Sequence, residues 1–197
     1  LDNPNASFKH SAIDDVKLFD IYISPDVNEI TSKSVGKSKG ISSLNSNSIF
    51  SEVTVDSEIK CVFFGEDVSG KTLLWKYNYK KLYEKDLIPI FASGLKVNEI
   101  TPEKILKFFE DQFKKQYNSE KFVFNQLDFK KVVIFIDDFH LTPLSAKYKS
   151  VFLTNLAIYF NKIFIIGNDL MQLEAYTDSE NNNTELFYNY HQFAILE

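Results

Sequence analysis

The sequence predicts an α/β fold in which a mainly parallel sheet lies between two layers of helices. From residue 58 onward, short apolar runs alternate with helical patterns, which is the order expected of strand–helix–strand units. The apolar runs are continuous and do not alternate with polar residues, as is typical of strands buried on both faces. The chain has 197 residues, 44% of them hydrophobic, which suffices for one domain with a sizeable core.

Four apolar runs predict strands, because each is too short for a helix and is rich in Val, Ile and Phe. These runs span residues 60–64, 87–92, 132–136 and 162–166. Helical patterns predict three helices in the intervals, at residues 70–84, 102–116 and 146–160. The aromatic tail at residues 185–197 fits either a strand or a helix.

The second of these helices has the clearest sequence signals. Thr101 suits the N-cap position and Pro102 suits the first helical position. Ile105, Phe109 and Phe113 then recur on one face of the helix. We therefore expect this face to lie in the core.

Residues 1–50 predict an irregular N-terminal extension, and residues 51–197 predict the folded core. Residues 31–48 are rich in Ser, Lys and Gly, a composition typical of flexible loops. Within the extension, residues 18–25 offer a short apolar run that resembles a strand. The chain opens with Leu instead of Met, so we expect it to be a fragment of a larger protein.

The most informative motif follows the first predicted strand, where residues 65–72 fit the pattern G-x-x-x-x-G-K-[ST] at every fixed position. The glycines let the backbone curl so that successive N–H groups point at phosphate oxygens, and the following helix adds its positive N-terminal end. The motif therefore predicts a nucleotide-binding loop, against the plainer alternative of a glycine turn before an amphipathic helix. The candidate binding residues are Gly65, Glu66, Asp67, Val68, Ser69, Gly70, Lys71, Thr72 and Leu73.

Two side chains of this loop have predicted chemical roles. Lys71 is expected to reach the β and γ phosphates, which makes it a candidate catalytic residue as well as a binding residue. Thr72 is expected to ligate Mg²⁺ through its hydroxyl oxygen.

A phosphate loop needs a separate acidic residue to hold the metal. The strand at residues 132–136 runs directly into two such residues, Asp137 and Asp138. This places both carboxylates at the carboxyl edge of the sheet, where open α/β sheets bind ligands. Asp137 is the expected Mg²⁺ partner, acting through a metal-bound water, and Asp138 is the candidate for orienting or deprotonating the attacking water. The alternative is an acidic pair that only ends a strand at a solvated turn.

The phosphate loop, the strand ending in Asp137-Asp138 and the later strand ending in Gly167-Asn168 resemble the additional-strand P-loop NTPases, and within them the AAA-like STAND group. The resemblance covers about residues 58–176. It implies ATP or ADP with Mg²⁺ as ligands, and control of neighbouring domains in the same chain. It also implies that the strand before Asn168 lies between the acidic strand and the loop strand, which would bring Asn168 toward the γ phosphate. An ordinary strand-ending turn is the equal alternative.

The cationic residues bear on the chemistry, because all 22 of them are lysines. Arginine is the usual group that neutralises transition-state charge in phosphoryl transfer, and lysine lacks its planar fork. The chain also ends before any winged-helix or helical lid region of the kind that the family carries. We therefore expect slow or conditional hydrolysis, completed by another segment or by oligomerisation.

Composition argues against nucleic acid as a partner, against an internal disulfide and against a membrane span. A formal charge of -5 argues against a broad nucleic-acid-binding face. One cysteine, Cys61, leaves no internal disulfide. Neither an export signal nor an apolar run of about 18 residues is visible, so we expect a cytoplasmic protein without a membrane partner.

These features favour an ATP-binding switch module that regulates adjoining domains of a larger signalling or defence protein. Two alternatives stay open. One is a small-molecule or nucleotide kinase, which needs cationic clamps on both substrates. The other is an interaction scaffold that has kept the fold and lost the nucleotide. A Ras-like GTPase fits less well, because the Asn-Lys pair at residues 161–162 precedes a strand and no guanine-reading Asn-Lys-x-Asp follows one.

Overall fold

A computed structural model describes residues 16–30, 43–66, 69–117, 123–171, 186–187 and 189–196 of the chain. The strands are β1 (Asp26–Ile30), β2 (Ser43–Asn45), β3 (Ile59–Phe64), β4 (Ile88–Ser93), β5 (Val132–Asp137), β6 (Lys162–Gly167) and β7 (His191–Ile195). The principal helices are α1 (Leu18–Ile21), α2 (Ser46–Ser51), α3 (Lys71–Glu84), α4 (Pro102–Gln116) and α5 (Ala146–Leu156).

The strands form one sheet in the order β2-β1-β7-β3-β6-β5-β4. The five strands β7, β3, β6, β5 and β4 are parallel to one another. β1 is antiparallel to both β2 and β7. The predicted α/β class with a mainly parallel sheet is therefore confirmed.

The core has two halves, one on each face of the sheet, because successive side chains of a strand point to opposite faces. Val62 and Phe64 of β3 belong to the half that contains the buried residues of α4 and α5. Cys61 and Phe63 belong to the half that contains those of α2 and α3. The sheet is therefore the middle of three layers, and continuous apolar runs are needed to serve both outer ones.

Each predicted strand and helix of the core is present, and all bounds but one agree within a residue. The exception is α5, which was expected to continue to residue 160 but ends at Leu156. Phe160 is nevertheless fully buried, because the turn at residues 157–159 carries it against Phe109 and Phe129. The ambiguous tail contributes β7. Among the helices described, none is both long and apolar enough to cross a bilayer.

Two predictions for the N-terminal segment are wrong. Residues 18–25 do not form a strand; they contain the short helix α1, and the strand β1 follows them. β1 is mostly polar with Val27 as its buried residue, because it is held by pairing with β7 and not by burial on both faces.

The flexible loop predicted at residues 31–48 is also wrong for residues 43–48, which lie in β2 and α2. Asn45 caps α2, since its Oδ1 accepts a hydrogen bond from Asn47 N at 3.1 Å. Residues 31–42 lie outside the described residues. The division of the chain at residue 50 stays a prediction.

Lys162, the first residue of β6, is a buried cation that joins two turns of the chain. Its side chain is 1% exposed, and its Nζ donates to the backbone oxygens of Val55 at 2.7 Å and Lys130 at 2.6 Å. Burial lowers the pKa of this ammonium, because desolvation disfavours its charged form. The two hydrogen bonds fix the approaches to β3 and β5, the strands that carry the candidate site.

We expect Lys162→Met to lower the free energy of unfolding by about 1–3 kcal/mol, because both carbonyls lose their donor. Urea denaturation measures the change. Lys130→Met is the matched control, since it removes an exposed charge without removing the backbone acceptor, and should change stability by less than about 0.5 kcal/mol. Equal losses in the two variants would contradict the role of Lys162.

Candidate functional site

The loop between β3 and α3 lies at the carboxyl edge of the parallel strands. Gly65 is buried where the chain leaves β3, and an added Cβ would lie 2.8 Å from Ser69 Oγ. Gly70 has a φ of 84°, a left-handed conformation that favours glycine. Asp67 and Val68 lie outside the described residues, so their contacts with phosphate stay predictions.

Lys71 is the first residue of α3, and its side chain folds back into the loop. Its Nζ donates to Gly65 O at 2.7 Å and to Glu66 O, and lies 3.5 Å from Ser69 Oγ. The residue is 8% exposed. An ammonium group has three N–H donors. Because two are taken by carbonyls and the serine contact is long, the third can serve a phosphate oxygen.

Thr72 and Asp137 come together from α3 and β5, 65 residues apart in sequence. Thr72 Oγ1 donates to Asp137 Oδ2 at 3.3 Å. Hydroxyl and carboxylate oxygens are ligands suited to Mg²⁺. The two residues predicted to hold the metal are therefore neighbours, and Thr72 directly follows Lys71 in the chain.

Asp137 is 5% exposed and accepts hydrogen bonds at both oxygens. Trp75 Nε1 donates to Oδ2 at 2.7 Å, and Asp138 N donates to Oδ1 at 3.0 Å. Burial raises the pKa of the Asp137 carboxyl, and the nearby charge of Asp138 raises it further. The hydrogen bonds from Trp75, Asp138 and Thr72 act in the opposite direction, since they stabilise the charged form.

The two acids differ in position because alternate residues of β5 face opposite layers. Val133 and Phe135 belong to the core half that contains α3, so Asp137, two residues on, faces the same helix. Asp138 has a left-handed backbone with a φ of 54° and begins the 3₁₀ turn Phe139–Leu141. Its side chain is half-buried. Its role in orienting water stays a prediction.

Gly94, which sequence reasoning missed, allows the chain after β4 to pass close to the acid pair. An added Cβ would lie 2.3 Å from Asp138 O and 2.6 Å from Phe139 Cα. Backbone atoms cannot move aside as a flexible side chain can, so glycine is required here. A glycine two residues after the predicted strand at residues 87–92 was the available signal, but the sequence does not show which backbone lies beside it.

β6 lies between β3 and β5, as the resemblance implied. Gly167 pairs with Phe64, so Asn168 leaves the sheet at the same edge as the loop. Asn168 Oδ1 accepts from Met171 N at 3.1 Å and thereby begins the helical turn that follows. A contact with the γ phosphate stays a prediction, and it would use the amide N–H groups of this side chain. Leu73 is half-buried and Glu66 is exposed.

Trp75 is a second residue that sequence reasoning missed. It is the one tryptophan of the chain, and its indole is stacked on Phe91 at 4.0 Å between ring centroids. It follows Thr72 by three positions, so both lie on the same face of α3. That spacing could have indicated a residue close to the metal site.

The oxygen atoms at this edge fit Mg²⁺ bound together with a nucleotide. Mg²⁺ usually takes one or two carboxylates, keeps several waters and binds substrate phosphates. Thr72 and Asp137 supply such a partial set. Within the described part of the chain, no group of three or more His, Cys, Asp or Glu residues could hold a metal by itself.

No protein-family model matches the chain, and no curated protein matches it. Solved structures do match, among them one described as the crystal structure of the DnaC helicase loader. It is 15% identical, with a TM-score of 0.46, and the match covers 76% of this chain and 85% of that chain. At this level of similarity, a functional proposal has to rest on the site itself.

We expect Asp138→Asn to lower the pKa of Asp137 while leaving it above its usual value, because burial is the larger cause of the raised pKa. A raised carboxyl pKa favours folding below the ordinary value of about 3.9, and this contribution is lost as the pH rises through the raised value. The variant should therefore gain up to about 1 kcal/mol of unfolding free energy at neutral pH and lose that gain in acid.

Carboxyl NMR titration and denaturation at several pH values measure these two effects. Asp169→Asn is the control, since it removes an exposed charge at the same edge of the sheet. An unchanged Asp137 titration in Asp138→Asn would contradict the coupling between the two acids.

Proposed function

We propose that this chain is an ATP-binding switch module with slow or conditional Mg²⁺-dependent ATP hydrolysis. The observation that carries the proposal is the pairing of Thr72 with Asp137 directly after the loop that holds the Lys71 ammonium. Cation, hydroxyl and carboxylate are the three groups that a magnesium–nucleotide requires of a phosphate-binding loop.

Phosphate binding is supported by the loop geometry. Lys71 is held by carbonyl oxygens with one N–H group left to donate. The N-terminus of α3 adds the unpaired backbone N–H groups of its first turn and the positive end of the helix dipole. α3 has 14 residues, so its dipole is well developed.

The predicted metal role falls on Thr72 and Asp137. The Thr72 hydroxyl can offer a lone pair to Mg²⁺ and still donate its hydrogen to Asp137 Oδ2. Bound Mg²⁺ supplies charge neutralisation at the phosphate groups. Asp138, at the end of β5, is the residue that we assign to orienting water.

Slow or conditional hydrolysis follows from the absence of arginine in the sequence. All 22 cationic residues are lysines, so a planar guanidinium that stabilises the transition state must come from another segment or another subunit. A module of this kind binds nucleotide and hydrolyses it only when another segment or subunit supplies the guanidinium. We therefore assign the chain a regulatory role toward adjoining domains, in which bound nucleotide orders the loops at the sheet edge.

Calorimetry and thermal unfolding with ATP, ADP and GTP, each with Mg²⁺ or EDTA, test the proposal. Ligand at 100 times its Kd should stabilise the fold by about 2.7 kcal/mol, which raises the Tm by several degrees. Lys71→Ala should abolish most of this gain, whereas Lys81→Ala, an exposed lysine at the far end of α3, should retain it.

Phosphate release in the same samples should be slow, and a phosphoryl-acceptor screen should find no fast acceptor. A fast acceptor would favour a kinase. Absence of any stabilisation at millimolar nucleotide would favour a scaffold, and the proposal would then be wrong.

A further inference from the structure

We infer that Trp75 is a positioning residue whose indole N–H holds the Asp137 carboxylate in the orientation that Mg²⁺ binding needs. The inference rests on the proposed function, since it concerns the same site. It assigns a role to a side chain outside the phosphate-loop pattern, and it gives the site a spectroscopic reporter.

The contact between Trp75 and Asp137 is short and buried. Trp75 is 7% exposed, and its Nε1 lies 2.7 Å from Asp137 Oδ2. Thr72 Oγ1 approaches the same oxygen at the longer distance of 3.3 Å. An indole N–H is a donor only and does not titrate in the physiological range. Trp75 is therefore the stronger and more constant of the two donors to Oδ2.

The indole ring is itself held in place by α4 and β4. Its stacking partner is Phe91, with an interplanar angle of 15°. β4 is an edge strand, so no further strand pairs with its outer side. The side chain of Gln116, the last residue of α4, hydrogen-bonds the backbone there instead. Gln116 Oε1 accepts from Phe91 N at 2.9 Å, and Gln116 Nε2 donates to Phe91 O at 2.7 Å. Phe91, whose ring stacks on Trp75, thus has both its backbone N–H and its backbone C=O fixed by hydrogen bonds.

This arrangement leaves each oxygen of Asp137 with a defined donor. Trp75 fixes Oδ2, and Asp138 N fixes Oδ1 at 3.0 Å. Without the indole donor, Oδ2 keeps only the longer contact with the Thr72 hydroxyl, which the metal also needs. Hydrogen-bond partners that orient metal-binding groups contribute about 10–100-fold to metal affinity.

Trp75→Phe is the direct test, because phenylalanine keeps an aromatic ring against Phe91 and removes the N–H donor. We expect Mg²⁺-dependent tightening of ATP binding to fall by about 10-fold or more, while the affinity measured in EDTA stays close to that of the unmodified chain. Tyr83→Phe is the matched control. It removes the hydroxyl of an exposed tyrosine on α3, about two turns beyond Trp75, so Mg²⁺ dependence should be retained.

A double-mutant cycle shows whether Trp75 acts through Asp137. In an Asp137→Asn background, Trp75→Phe should have no further effect on the Mg²⁺ dependence, because the group that it positions is gone. Additive losses would overturn the inference. Equal weakening of nucleotide binding with and without Mg²⁺ in Trp75→Phe would also overturn it, since that is the result of a purely structural role.

Fluorescence of the unmodified tryptophan provides a test that does not depend on a folded Trp75 variant. Titration of MgCl₂ into the ADP-bound 197-residue chain should change the emission of Trp75, and Asp137→Asn should remove that change. No Mg²⁺-dependent change in emission would contradict the inference. If calorimetry shows nucleotide binding that Lys71→Ala abolishes, the proposed function stands even when the role of Trp75 fails; if no nucleotide binds, both fail.

Discussion

The buried carboxylate of Asp137 is the group on which the site depends. It joins β5 to α3 through Trp75 and Thr72, and it therefore fixes the start of α3 against the middle of the sheet. Burial raises its pKa, because desolvation disfavours the charged carboxylate. A buried carboxylate with a shifted pKa is typical of a functional site, and the loop that we propose to bind phosphate leads directly into Thr72 beside it.

The parallel sheet explains why these groups meet. Parallel strands end at one edge, so residues that follow β3, β5 and β6 leave the sheet on the same side, although they are distant in sequence. Alternation along β5 then turns Asp137 toward α3. Its neighbour Asp138 leaves the strand in a left-handed conformation, and Gly94 leaves room for the backbone of Asp138 and Phe139.

Much of the fold could be predicted because the core strands are continuous apolar runs and α4 carries clear capping and periodic signals. β1 and β2 could not, since both are mostly polar: β1 is formed by pairing with β7 from the other end of the chain, and β2 by pairing with β1. At the site, the loop motif and the acid pair were recognisable from spacing alone. Trp75, Gly94 and Gln116 were not, because their roles arise from contacts between elements that no local pattern encodes.

The central claim is that the loop at residues 65–72 binds the phosphates of a nucleotide with Mg²⁺ shared between Thr72 and Asp137. A crystal structure of the 197-residue chain with Mg²⁺ and a non-hydrolysable ATP analogue tests it most directly. We expect density for the phosphates within the loop, with the Lys71 ammonium in contact with a phosphate oxygen. We expect the metal between the Thr72 hydroxyl and the Asp137 carboxylate. An analogue bound elsewhere, or a loop without phosphate at saturating analogue, would contradict the account.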